Sequence, residues 1–265
     1  MYNYVLDYIE NLQSKGRYSF ALHEIIDKFN KKHSAIRMAL FRLAKRKKVI
    51  SVINGFYVII PPEYSTNGIL SPYLFIDDLM GYLKRRYYLG LLTAAVFHGS
   101  SHQQPQELYV VTSKPSMRMI NVNNLKINFI SKNSGNIKGL EERKTDSGYI
   151  KISGPVLTAV DLLQLNKYVG GLNRVVEIIG DMTSKFDKHE ITKLGPGDVP
   201  LSVVQRLGYI LETILRKKTV ADLVWKAYGK RINRSIALNP MNKSAEFKRN
   251  NRWKIIVNES LESEK

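Results

Sequence analysis

The sequence predicts an α+β protein: an N-terminal winged helix-turn-helix followed by a mixed α/β C-terminal domain with a small antiparallel sheet and several helices. Three observations predict it. Apolar residues recur at helical spacing in three successive segments before Ala44. Two β-branched or aromatic runs then meet at Asn54-Gly55, the strongest short-range hairpin signal. Beyond Pro61-Pro62, helix-period and strand-period segments are mixed through the remainder of a 265-residue chain, long enough for two modest domains. The division reads as residues 1–62 for the winged helix, 63–68 for a linker and 69–265 for the C-terminal domain.

Each element follows from its residues. Tyr2, Val5, Ile9 and Leu12 make one face of a first helix that stops at Gly16. Ser19 is placed to cap a second, with Ala21, Leu22, Ile25, Ile26 and Phe29 on its buried side. Asn30 to His33 is a polar turn, and Ser34 stands where an N-cap belongs. Ile36, Leu40 and Leu43 form the inward stripe of a third helix; Ser34, Arg37, Met38, Phe41, Arg42 and Lys45 lie on its other sides. Val49–Ile53 and Phe56–Ile60 read as hairpin strands, with Asn54 and Gly55 tolerating the positive φ of a type I′ turn. Helices are expected at Pro72–Lys84, Tyr88–Phe97, Pro155–Leu165, Leu172–Met182, Val203–Leu215 and Val220–Tyr228. Strands are expected at Glu107–Thr112, Met117–Val122, Lys126–Ile130, Tyr149–Ile152 and Trp253–Val257. Pro155 suits a helical first turn, where its missing N–H costs nothing.

Charge is the strongest compositional signal. The net charge is +18, so an anionic partner is expected, nucleic acid first. The surplus is uneven. Residues 1–60 hold 11 Lys+Arg against 4 Asp+Glu, residues 61–215 hold 17 against 14, and residues 216–254 hold 12 against 2. A nearly neutral middle is flanked by two basic regions. There is no cysteine, which excludes disulfides, thiolate catalysis and cysteine-based zinc sites. Asp7 and Glu10 interrupt the apolar pattern of the first helix, against a signal peptide, and the longest apolar run, Tyr87 to Phe97, is too short to span a bilayer. The expectation is a cytoplasmic protein with no membrane association.

A third helix with a basic outer face, followed by a hairpin wing, is a way to read duplex DNA. Arg37 and Arg42 are the base readers suggested by residue type, since arginine donates a bidentate pair to guanine; His33, Ser34 and Met38 are weaker ones. Lys31, Lys32, Lys45, Arg46, Lys47 and Lys48 read as phosphate contacts, and Asn54 marks the wing. The same lysines also suit a solvated helix end near the negative pole of the dipole. Arg216, Lys217, Lys218, Lys226, Lys230, Arg231 and Arg234 surround an apolar helix bearing Trp225 and Tyr228. They read either as a second polyanion surface, with aromatics for stacking, or as a helix that buries its aromatics and exposes its lysines.

No catalytic constellation is legible, and no cofactor is expected. His98 and His102 in HGSSH are four apart, but Gly99 and the serines make them a helix end and loop, without a third metal ligand. Glu141, Glu142 and Lys144 lack a paired acidic strand end and read as a solvated turn before a strand. Gly170-Gly171 lacks the strand and spacing of a nucleotide fingerprint.

The order of parts resembles the AbiEi family of antitoxins. The resemblance rests on the N-terminal unit ending NGFYVI, then SPYLFIDDLMGYLKRRYYLGLLTAAVFHG, ELYVVTSK, GPVLTAVDLLQ and GGLNRVVEIIGDM. It implies a non-enzymatic antitoxin of a type IV toxin–antitoxin, abortive-infection phage-defence system that represses its own operon. It further implies promoter DNA with inverted repeats as one partner, self-association on that DNA, and a nucleotidyltransferase-like toxin as functional partner without an assumed stable complex. The helix Ser34 to Lys45 and the wing at Asn54-Gly55 are the positions that carry over. Two rival readings are a ligand-responsive winged-helix transcription factor without a toxin, and a nucleic-acid-processing enzyme with a winged-helix targeting domain.

Overall fold

The computed structural model describes residues 3–64, 70–100, 107–132, 138–195, 197–242 and 248–261. The chain groups into two compact units that interleave along the sequence: residues 1–88, 106–133 and 142–151 form unit 1, and residues 89–105, 134–141 and 152–265 form unit 2. Residues 65–69, which include most of the expected linker 63–68, lie outside the described residues.

Unit 1 opens with α1 (Asn3–Ser14), which buries Val5, Tyr8, Ile9 and Leu12. It ends as expected at Gly16, whose φ of +72° lets the amides of Gly16 and Arg17 turn back onto Gln13 and Leu12. Next comes β1 (Ser19–Ala21), so Ser19 is no helix cap: it pairs with Val58 across the sheet and its buried hydroxyl donates to Asp78 at 2.5 Å. The reason is that Ser-Phe-Ala finds a strand partner, and α2 (Leu22–Phe29) starts only after it. Glu24 secures that start. Its carboxylate accepts the Ala21 N–H at 2.7 Å and two Arg17 N–H groups at 2.7 and 2.8 Å. Burial alone would raise the Glu24 pKa, but these donors hold it below the usual carboxylate value.

After α3 (His33–Lys45), strands β2 (Val49–Ile53) and β3 (Phe56–Ile59) form the expected hairpin, and β1 joins it in the order β1-β3-β2, antiparallel throughout. Only Gly55 of the turn has positive φ, +80°, and the register shifts between Ser51 and Ile53. The type I′ turn is therefore corrected to a bulged turn closed by glycine. Helix α4 (Ile76–Tyr82) packs against β1 and follows a short 3-10 turn at Pro72–Leu74.

A six-stranded sheet follows, built from β4 (Tyr87–Leu89), β5 (Glu107–Thr112), β6 (Ile120–Val122), β7 (Leu125–Ser131), β8 (Leu140–Thr145) and β9 (Gly148–Ser153) in the order β6-β7-β5-β4-β9-β8. It is mixed, which corrects the expected antiparallel sheet: β5 runs parallel to β7, and β4 parallel to β9. The β6–β7 hairpin, turned at Asn123-Asn124, returns on its inner side, so β7 lies beside β5 in the same direction. Tyr87–Leu89 is a strand and not the start of a helix. Glu141, Glu142 and Lys144 lie within β8, so they are strand residues rather than a turn.

Unit 2 is helical. Its α5 (Leu91–Phe97), α6 (Pro155–Gln164), α7 (Leu172–Met182), α8 (Lys188–Lys193), α9 (Leu201–Tyr209) and α10 (Lys218–Tyr228) are followed by small strands β10 (Ile236–Ala237), β11 (Lys248–Asn250) and β12 (Ile255–Val257). Pro155 stands in the first turn of α6 as expected, and every residue from Pro155 to Leu163 is buried. A helix buried all round belongs at a centre, and α6 packs against α5, α7, α8 and α9. Trp253 is fully buried, and its indole N–H donates to Glu212 at 2.5 Å. Its ring lies where a side chain at position 208 would stand: a Cβ on Gly208 would come within 2.1 Å of it.

Gly208→Ala therefore overpacks unit 2. The expected cost is at least about 1–3 kcal/mol. Both tryptophans, Trp225 and Trp253, belong to unit 2, so the urea midpoint of intrinsic tryptophan fluorescence reads that unit. An unchanged midpoint would contradict the packing described.

Candidate nucleic-acid interface

The site begins with the phase of α3. Ile36, Ala39, Leu40 and Leu43 are buried among Val5, Ile9, Ile25, Val49 and Ile59. With about 100° per residue, that stripe places Ser34, Met38, Phe41 and Lys45 directly opposite, with Arg37 and Arg42 on the two shoulders. All six are exposed, as are Lys31, Lys32, His33, Arg46, Lys47 and Lys48. No Asp or Glu occurs between Asp27 and Glu63. The expected residues thus share one cationic element. Arg37 also lies close enough to Tyr57 to act on its phenol: burial pushes the Tyr57 pKa up, and the Arg37 charge pulls it back.

The cations at the two ends of α3 differ in meaning. Lys45, Arg46, Lys47 and Lys48 stand at the C-terminus, where the helix dipole welcomes them. Lys31 and Lys32 stand at the N-terminus, where it opposes them. Helix stability explains the first group and not the second. Ser34 is not the cap expected of it; the helix starts at His33, the cap position is Lys32, and no side chain caps it. A helix N-terminus without an acidic residue and flanked by lysines suits a phosphate.

Lys47 has a structural task as well. Its φ of +54° makes it the left-handed residue that ends α3, with the amides of Lys47 and Lys48 on the carbonyls of Ala44 and Leu43 at 2.9 and 3.0 Å. The wing is braced. Tyr82 of α4 donates its hydroxyl to the Asn54 carbonyl at 3.1 Å, and its ring lies 5.4 Å from that of Phe56. Asn54 itself is exposed. Tyr82 was not legible as part of this site, because its partner is a backbone carbonyl 28 residues away.

The second basic group lies in unit 2, and all seven of its expected cations, Arg216, Lys217, Lys218, Lys226, Lys230, Arg231 and Arg234, are exposed. Its aromatics are not available for stacking. Tyr228 is buried, with its hydroxyl bonded to the carbonyls of Ile191 and Leu194. Trp225 packs edge-on to Trp253 with ring centroids 5.2 Å apart. Arg252 covers both rings and pairs with Glu212 and Asp222, each at 2.6 Å. The aromatics are thus taken up in packing, while the seven cations stay exposed.

His98 is buried at the C-terminal end of α5, with Nε2 2.7 Å from the Ser153 carbonyl, and Gly99 follows at φ +82°. His102 lies outside the described residues. Among the described residues no three His, Asp or Glu side chains are grouped to hold a metal ion, and no helix is long and apolar enough to cross a membrane. Gly171 precedes α7 at φ +93°, a tight turn without a preceding strand.

An α+β chain with a basic helix-and-hairpin head defines the class. Its fold is similar to the crystal structure of the RV2827C protein from Mycobacterium tuberculosis, with a TM-score of 0.66 over 94% of this chain and 89% of that one at 14% identity. That likeness concerns the fold alone. Comparison with curated proteins gave no match. Residues 88–213 match the family model described as the AbiEi antitoxin C-terminal domain. Over that segment the chain is similar to the AbiEi antitoxin family.

The left-handed Lys47 allows charge and conformation to be separated. Lys47→Gly relieves the side-chain strain of that conformation, so amide exchange at the C-terminal turn of α3 slows or stays equal, by up to about 1 kcal/mol. Faster exchange there in Lys47→Gly would contradict the assignment.

Proposed function

We propose that this protein is the antitoxin of a type IV toxin–antitoxin phage-defence system, and that its N-terminal winged helix-turn-helix binds promoter DNA and represses its own operon. The family match over residues 88–213 supports the antitoxin half. One observation carries the DNA half: the face of α3 opposite the buried stripe is exposed and cationic from Lys31 to Lys48, within a stretch free of acidic residues. Such a helix enters the major groove, with its N-terminal lysines and Lys47 on phosphates and the wing alongside. Arg37 and Arg42, on the shoulders, reach base edges or the strands beside them. Inverted repeats place two copies on one operator. The protein acts by binding and not by catalysis, in the cytoplasm. Its functional partner is a nucleotidyltransferase-like toxin, neutralised without the need for a stable complex. The exposed cations from Arg216 to Arg234 act as a second polyanion surface or in neutralisation.

A regulator that responds to a ligand is the second reading. It has one observation behind it, an open pocket of about 420 Å³ lined by Ala44, Lys47, Val49, Ile50, Ser51, Ile60 and Asn123.

Titration of the full-length chain with the DNA upstream of its coding sequence, at several salt concentrations, tests the DNA half. Affinity falls steeply with salt. Arg37→Ala costs about 1–3 kcal/mol on the preferred sequence and relaxes preference. Lys47→Gly weakens all sequences alike and lowers the salt slope by about one. Equal affinity of wild type and both variants would remove α3 from the interface. Toxin rescue during co-expression is expected to survive both substitutions.

A further inference from the structure

The outermost line of α3 carries two large apolar side chains. Met38 and Phe41 are 51% and 53% exposed and stand three residues apart, so they adjoin on the helix surface. Their setting is cationic. Arg37 and Arg42 flank them, and the Lys45 ammonium lies 4.9 Å from the centre of the Phe41 ring. An apolar ridge rimmed only by positive charge does not match a second protein core. It matches a surface that is anionic at its edges and apolar at isolated points of its floor. The DNA major groove is such a surface: phosphates line its walls, and the thymine C5-methyl is the apolar group that bases present there.

We propose, resting on the DNA-binding reading above, that Phe41 together with Met38 recognises thymine methyl groups, and that sites preferred by this protein carry thymine opposite the middle of α3. Phe41 is a specificity residue here, distinct from the arginines that would select guanine and the lysines that hold phosphate. The position of the ridge supports this. Ser34, Met38, Phe41 and Lys45 form the line farthest from the buried stripe, so they reach deepest when the helix enters a groove.

The test works whatever the operator sequence within the upstream DNA. That DNA is amplified once with dTTP and once with dUTP. Uracil keeps every hydrogen-bonding group of thymine and lacks only the methyl. Full-length wild type, Met38→Ala and Phe41→Ala are titrated against both forms by fluorescence anisotropy at low salt. Wild type is expected to bind the uracil form about four-fold more weakly for each methyl buried. Phe41→Ala should bind the two forms alike, which separates loss of the methyl contact from any change in DNA stiffness. Both side chains point into solvent, so helical circular dichroism should match wild type in each variant. Equal binding of both forms by wild type would overturn the thymine assignment and leave the DNA interface standing. Absence of binding to either form would instead overturn the interface reading. Sedimentation showing that Phe41→Ala dissociates a wild-type dimer, with DNA affinity unchanged, would assign the ridge to a second copy and also overturn the proposal.

Discussion

The burial of four residues on α3 governs the rest of the N-terminal unit. Ile36, Ala39, Leu40 and Leu43 are held by α1, α2 and β2, and each large side chain among them gains roughly 1.5–3 kcal/mol by leaving water. Rotating the helix by one residue would drive Arg37 into that core. The cost of burying an unpaired guanidinium forbids it. The phase of the helix is therefore fixed from inside, and the outward set follows without further choice. Neighbouring contacts set the position of the hairpin in the same way. Tyr82 holds the Asn54 carbonyl, while Asp78 of the same short helix takes the Ser19 hydroxyl, so α4 grips both the hairpin turn and β1. These bonds fix the hairpin and β1 within one unit.

Unit 2 obeys a different constraint. Trp253 needs the space left by Gly208, and Arg252 lies over Trp253 and Trp225 while bonding two carboxylates. The aromatics near the C-terminal basic region are thereby committed to packing. Its lysines and arginines remain as exposed point charges, which favour a polyanion by Coulomb attraction without stacking.

Much of this was legible in the residues. The stripe of α3, the Gly16 stop, the Asn54-Gly55 hairpin and the helices at Pro155 and Leu172 all follow from periodicity and turn chemistry. What was not legible depended on distant partners. Ser19 looks like a cap until β3 offers it a strand to pair with. The parallel pairing of β5 with β7 depends on which side the β6–β7 hairpin returns, and alternation along a strand is blind to direction. Glu141 and Glu142 have a polar, turn-like composition but form an edge strand, where charged side chains are tolerated. At the candidate site the basic residues were identified by type. The outward place of Phe41 follows from the same periodicity, whereas the role of Tyr82 depends on a contact to backbone.

Hydroxyl-radical footprinting of the full-length protein, free and bound to its upstream DNA, probes the outward face of α3 most directly. Met38 and Phe41 are reactive side chains on that face, and Met241, 77% exposed, serves as a reference elsewhere. Bound DNA is expected to suppress oxidation of Met38 and Phe41 while Met241 keeps its rate. If the protein is bound and both α3 side chains oxidise as fast as before, the helix does not lie against DNA and the account is wrong.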